Sequence, residues 1–253
     1  MKMMKKLLIV GLFLGFLPMP ARAAGGITVA AAANLQFTLD DLKAQFTRET
    51  GIDVKTVIAS SGKLTSQIAN GAPFDVFLSA DMKYPEAVFK EGLSLRPPKV
   101  YAYGVLVLWT MRNEDLSKGL GGLGEAGVKK IALADPRLAP YGRQAVNAMK
   151  YAHLYPGIIP KLVYGESIAQ TNEFITTGAA DVGFTAESIV LSPNMKGKGR
   201  WVEVDPRSYK PIAQGAVVLK YAPHAPEAKK FYDFLFSAPA RATFKKYGYS
   251  LPK

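Results

Sequence analysis

Cysteine is absent from all 253 residues. That excludes disulfides, thiolate metal sites and a cysteine nucleophile. It also excludes the lipid anchor of bacterial lipoproteins, which is built on a cysteine. Histidine is nearly absent, with only His153 and His224. A Ser-His-Asp arrangement would have to use one of them. His153 lies near the end of a predicted helix and His224 in a proline-flanked turn, and both read as structural. No grouping of side chains has the spacing of a metal site, so no protein ligand to a cation and no cofactor is expected. Runs of five like charges are also missing, which argues against a nucleic-acid partner.

Long apolar runs are the last absence. Leu7–Met19 holds 13 residues, whereas a membrane-spanning helix needs about 20. The run follows a basic start (Lys2, Lys5, Lys6) and precedes Ala21-Arg22-Ala23. These are the three parts of a secretory signal peptide, predicted over residues 1–23. The expected compartment is a periplasm, with the protein free in it.

The formal net charge is +12. The signal segment carries four of these charges and no acid, leaving +8 on the rest. A basic balance is compatible with steering of small anions. Apolar residues make up 49% of the chain, enough to fill one large domain or two lobes of about 115 residues each.

Strand-like and helix-like patterns alternate along the chain, which predicts an α/β fold. The apolar run Ile27–Ala32 reads as a buried strand, followed by Leu35, Leu39, Leu42 and Phe46 at helical spacing. Further strands are predicted at Ile52–Ala59, Asp75–Ser79, Ile131–Ala134, Leu162–Tyr164 and Asp181–Thr185. The stretch Val100–Thr110 reads as one long strand bridging two lobes, and Ile212–Leu219 as a second bridge. Glu227–Tyr247 reads as a terminal helix with Phe231, Phe234, Leu235 and Phe244 turned inward.

Four segments share one design: a strand, a tight turn of small or polar residues, then a helix. They are Ala33-Asn34, Ser60-Ser61-Gly62, Pro140-Tyr141-Gly142 and Glu166-Ser167-Ile168. A helix start leaves its first N–H groups unpaired and carries about half a positive charge. Such starts bind anions with backbone alone, and in open α/β sheets they lie where ligands sit. Taken singly, Asn or Ser at a helix start is usually only a cap. Two other motifs carry little weight. Gly119-x-Gly121-x-x-Gly124 matches a dinucleotide fingerprint but leads into a strand, so it reads as a loop. Gly62-Lys63 lacks the leading glycine and the Ser/Thr of a P-loop.

Several segments together resemble the periplasmic molybdate-binding proteins of ABC transporters. They are Thr28 through Leu35, Ala59 through Leu64, Gly71-Ala72-Pro73-Phe74-Asp75 through Asp81, Ala134-Asp135-Pro136 through Gly142, and Asp181 through Ala186. Phe231 through Leu235 and Tyr247-Gly248-Tyr249 fit as well, so the likeness spans nearly the whole chain after the signal segment. The resemblance implies a two-lobed, type II periplasmic-binding fold with the ligand between the lobes. On this reading residues 24–103 with 213–253 form one lobe and 104–212 the other. The ligand is molybdate or tungstate, with sulfate or another tetrahedral oxyanion as the alternative. A monomer that is not an enzyme is expected, with a membrane permease as its partner; a periplasmic enzyme on the same fold is the remaining alternative, and it lacks a nucleophile, base or metal cluster in the sequence. Carried over by position, the ligand contacts fall on Asn34, Ser61, Tyr141 and Ile168. Asn34 and Ser61 would donate from side chain and backbone, Tyr141 and Ile168 from backbone. Some family members bring a tyrosine hydroxyl from the strand end where this chain has Ala186.

Overall fold

A computed structural model describes residues 26–252; the predicted signal segment lies outside the described residues. Among the described residues, ten strands form two five-stranded sheets. The first contains β1 (Ile27–Ala32), β2 (Val54–Ala59), β3 (Val76–Leu78), β4 (Lys99–Gly104) and β10 (Ile212–Val218), in the order β2-β1-β3-β10-β4. The second contains β5 (Leu106–Thr110), β6 (Ile131–Ala134), β7 (Leu162–Gly165), β8 (Val182–Ala186) and β9 (Arg200–Glu203), in the order β7-β6-β8-β5-β9. The two sheets repeat one plan. Each has three parallel strands (β2, β1, β3 or β7, β6, β8), then an antiparallel strand (β10 or β5) and an antiparallel edge. Parallel strands need helical crossovers. These are supplied by α1 (Gln36–Thr50) and α2 (Ser61–Ala69) in the first half, and by α4 (Pro140–Tyr151) and α6 (Ile168–Thr176) in the second.

The stretch Val100–Thr110 is two strands rather than one. Gly104 pairs with Ile212 in the first sheet, and Leu106 pairs with Ala186 in the second. The chain changes sheets across Val105. A side chain at Gly104 is not tolerated, because its Cβ would lie 2.0 Å from the Tyr141 hydroxyl and 2.6 Å from Gln214 Nε2. The return crossing runs from β9 to β10 through a short turn at Pro206–Ser208. The terminal helix is likewise two, α8 (Ala225–Phe234) and α9 (Ala238–Lys246). Ser237 caps α9 by accepting from the Ala240 N–H at 3.4 Å, and Pro239 sits in its first turn. A proline is tolerated there but not inside a continuous helix.

Each half has its own apolar core. In the first, Phe46 on α1 meets Phe231 edge to face at 5.1 Å between centroids, beside Phe234 and Phe244. All four, with Leu235, are buried. In the second, Trp109, Leu133, Met149 and Phe184 are fully covered. The predicted loop at Gly119–Gly124 is a 3-10 turn that leads toward β6 and opens no α-helix. His153 occupies a left-handed turn (φ 57°). His224 precedes α8, with its N–H donating to Asp75 Oδ1 at 2.8 Å.

A small neutral cavity between the sheets

Four strands end at the same place. Beyond β1 the chain makes a 3-10 turn, Ala33–Leu35, into α1; β2 leads through Ser60 into α2; β6 leads to α4; β7 leads through Ser167 into α6. Asn34, Ser61, Tyr141 and Ile168 all line one cavity of about 10 Å3, with Ser60, Ala80 and Pro140 among their neighbours. A cavity on that scale suits only a small guest, far below the 300–1,000 Å3 or so of organic-ligand pockets. Among the described residues, no Lys, Arg, Asp or Glu lines it.

The helix starts supply the donors. Ser61 and Ile168 are the first residues of α2 and α6, and Tyr141 is the second of α4 after a proline that has no N–H. Amides at these positions have no partner inside their own helix. Lys63 N and Gln170 N, one turn on, are taken by Ser60 Oγ and Ser167 Oγ, both at 3.4 Å. The caps therefore satisfy the amides deeper in the helix, not those of the first residue. Ser61 Oγ accepts from the Ala80 N–H at 3.0 Å. That uses an acceptor site and leaves the hydroxyl proton to be aimed elsewhere.

Behind the cavity lies a buried polar network. Asn34 Nδ2 donates to Gln214 Oε1 (2.8 Å) and to the Tyr249 hydroxyl (3.0 Å). Tyr101 donates to the same Gln214 oxygen at 2.8 Å, and Gln214 Nε2 donates to the Tyr141 hydroxyl at 3.3 Å. Ser188, on the short helix α7 (Glu187–Val190), donates to Asn34 O at 2.8 Å. Burial, then neighbouring tyrosines, push the phenols of Tyr101 and Tyr141 well above their ordinary value; burial also raises Tyr249. All three therefore stay neutral. Asn34 Oδ1 is buried without a partner, a costly state for a polar atom.

The sequence-predicted residues thus converge, and their side chains differ in use. Tyr141 turns its hydroxyl toward Gln214 and Gly104, where the chain changes sheets. Ala186 is fully buried, ends β8 and is not among the lining residues. Gln214, Tyr101 and Tyr249 were not singled out from sequence for any role. A glutamine inside the apolar run Ile212–Val218 was the available signal, because a lone buried amide needs partners. A roomier hollow of about 310 Å3, between Leu95–Pro97 and α8, has a mostly apolar lining. Its charged residues are Arg96, Lys229 and Asp233, the last two paired at 2.5 Å, and it shares no lining residue with the smaller cavity.

Comparison with known proteins agrees with this geometry. The family described as bacterial extracellular solute-binding protein matches residues 27–250. The molybdate-binding protein ModA of Rhodobacter capsulatus is 40% identical over 92% of this chain and 91% of its own. ModA of Azotobacter vinelandii is 38% identical over 96% of this chain and 97% of its own. The solved structure of the periplasmic molybdate-binding protein of Azotobacter vinelandii superposes with a TM-score of 0.86 at 33% identity, covering 90% of this chain and 100% of that one. With the two-lobed α/β fold and four helix starts around one small cavity, this chain belongs to the bacterial extracellular solute-binding proteins, in the family of the molybdate-binding proteins.

Proposed function

We propose that this chain captures molybdate, and also tungstate, between its two lobes and delivers it to an ABC-type membrane permease. The observation that carries the reading is the meeting of four distant helix starts around one uncharged cavity the size of a single small guest. The amides of Ser61, Tyr141 and Ile168, the Ser61 hydroxyl and Asn34 would replace the ion's water. Hydrogen bonds to a charged group contribute about 1.5–3 kcal/mol each, so the five donors together supply about 7.5–15 kcal/mol, on the scale of the roughly 4–15 kcal/mol of lost ligand freedom. Neutral donors suffice, as at other helix-terminus anion sites.

Asn34 takes part by turning its amide. Rotated half a turn, together with Gln214, its oxygen accepts from Gln214 Nε2 and the Gln214 oxygen accepts from the Tyr141 hydroxyl. Oxygen and nitrogen of an amide are told apart only by such networks. In this arrangement the unpaired atom is Nδ2, a donor, instead of the unpaired oxygen Oδ1. A cavity made of donors favours fully ionised molybdate, tungstate or sulfate and disfavours phosphate, which carries its own O–H at neutral pH.

The lobes are assigned as residues 24–103 with 213–253 in one and 104–212 in the other, a division the two sheets support apart from the boundary residues Gly104 and Ile212, which pair in the first sheet. The chain acts in the periplasm after removal of residues 1–23, as a monomer and without turnover of its ligand. A thermal-shift and calorimetry panel tests the reading. Molybdate and tungstate stabilise the protein strongly, sulfate less and phosphate not at all. Phosphate binding at neutral pH would sink the donor-only assignment, and no response to any oxyanion would sink the function.

A further inference from the structure

Beside the cavity, a second set of contacts joins the two halves without touching the guest. It rests on α3 (Lys83–Lys90) of the first half and on Pro136–Leu138 and α4 of the second. Arg143 Nη2 donates to Asp81 Oδ2. Arg143 Nη1 donates to the Tyr84 hydroxyl and to Pro136 O, both at 3.2 Å, and its guanidinium lies 5.2 Å from the Tyr84 ring centre. The Tyr84 hydroxyl, in turn, lies 3.0 Å from Arg137 O and 3.2 Å from Leu138 O. The Gly62 N–H also donates to Leu138 O, at 2.9 Å.

Neither Asp81, Tyr84 nor Arg143 lines the cavity. Each contact nevertheless adjoins a residue that does: Asp81 follows Ala80, Gly62 follows Ser61, Leu138 precedes Ala139, and Arg143 is two residues beyond Tyr141. The ion pair is largely withdrawn from water, with side chains 24% and 20% exposed. By contrast, the other charged link across the same seam, Lys63–Glu166, is 48% exposed on both sides. An exposed pair contributes little, while removing one partner of a covered pair mainly accelerates dissociation. Separation of the halves would break all of these bonds at once except Arg143 to Pro136 O, which lies within the second half.

We infer that Asp81, Tyr84 and Arg143 form a latch that holds the lobes shut over the bound ion and sets how long it stays. This inference rests on the oxyanion reading above. The three are positioning residues. They contribute nothing to the ion directly, and their contacts across the seam exist only when the lobes meet; within the first half Asp81 Oδ1 also accepts from the Tyr84 N–H at 3.3 Å, an acceptor that Asp81→Asn retains.

The test compares wild type with Tyr84→Phe, Arg143→Gln, Asp81→Asn and the Asp81→Asn/Arg143→Gln double variant. Protein loaded with radiolabelled molybdate is chased with unlabelled molybdate, capture is timed separately, and melting is recorded with and without molybdate. Release accelerates about tenfold or more in each single variant while capture stays within about threefold, since interface changes act mostly on the off-rate. The double variant releases no faster than the product of the single effects, and slower than that product if the two groups act as one pair. Melting without molybdate stays within about 2 °C of wild type. Release rates unchanged in the variants, or melting without the ion lowered as far as with it, would overturn the latch and leave the ion reading standing. Failure of the wild type to bind molybdate would overturn both.

Discussion

Replacing Ser61 by alanine probes the site most directly, because one oxygen serves two purposes. Ser61 Oγ accepts the Ala80 N–H at 3.0 Å in a fully buried position. Its proton has no other assignment and is the donor proposed for the ion. Losing a hydrogen bond to a charged group costs about 1.5–3 kcal/mol, equivalent to about 10- to 150-fold in Kd. Losing the acceptor also strands the Ala80 N–H, at about 1–3 kcal/mol, which is paid with or without the ion. For a chain of this size each kcal/mol lowers Tm by about 2–4 °C. Ser61→Ala should therefore show both effects, a lower Tm without the ion and a weaker Kd measured by calorimetry at fixed ionic strength. Ser61→Thr, which keeps the hydroxyl, should restore most of each. A lower Tm combined with a Kd within twofold of wild type would refute the reasoning: the hydroxyl would then serve Ala80 alone.

Other substitutions separate the remaining parts. Tyr141→Phe removes a hydroxyl bound by Gln214 but keeps the backbone donor. Stability should fall by about 1 kcal/mol with Kd within about threefold, and a tenfold loss of affinity would show that the hydroxyl reaches the ion. Gly142→Ala should disrupt both folding of the second half and binding, since its Cβ would lie 1.8 Å from Ala134 O; wild-type melting and affinity would mean that α4 can shift freely. Glu187, at the start of α7 and against Gly248, is pushed up to about 7, first by burial and then by Glu203. The folded chain then holds a proton that the unfolded chain has released, between its ordinary value of 4.5 and about 7. Stability therefore falls as pH rises through that window and stays lower above it. Glu187→Gln should flatten the fall in denaturant titrations across pH 5–8, and an unchanged pH profile would remove Glu187 from the account.

Much of this was legible before any coordinates. The four helix starts were visible because small polar turns between an apolar run and a helical pattern have a local cause, the unpaired amides of a helix end. The break of Val100–Thr110 into two strands was not visible. Every residue there suits a strand, and the change of sheet depends on what packs against Gly104, namely Tyr141 and Gln214 from distant segments. The split between α8 and α9 could have been read from Ser237 and Pro239, a cap followed by a residue that belongs in a first turn.

The alternation of most strands and helices, the neutral donors of the proposed ion site and the candidates Asn34, Ser61, Tyr141 and Ile168 follow from sequence, because capping, periodicity and residue chemistry act over a few neighbours. That those four face one cavity, that the Asn34 side chain answers to Gln214 and Tyr249, and that Arg143 reaches Asp81 were decided only by the tertiary fold. Such partners are separated by tens to hundreds of residues, and local chemistry states what a group needs without stating which distant group will meet it.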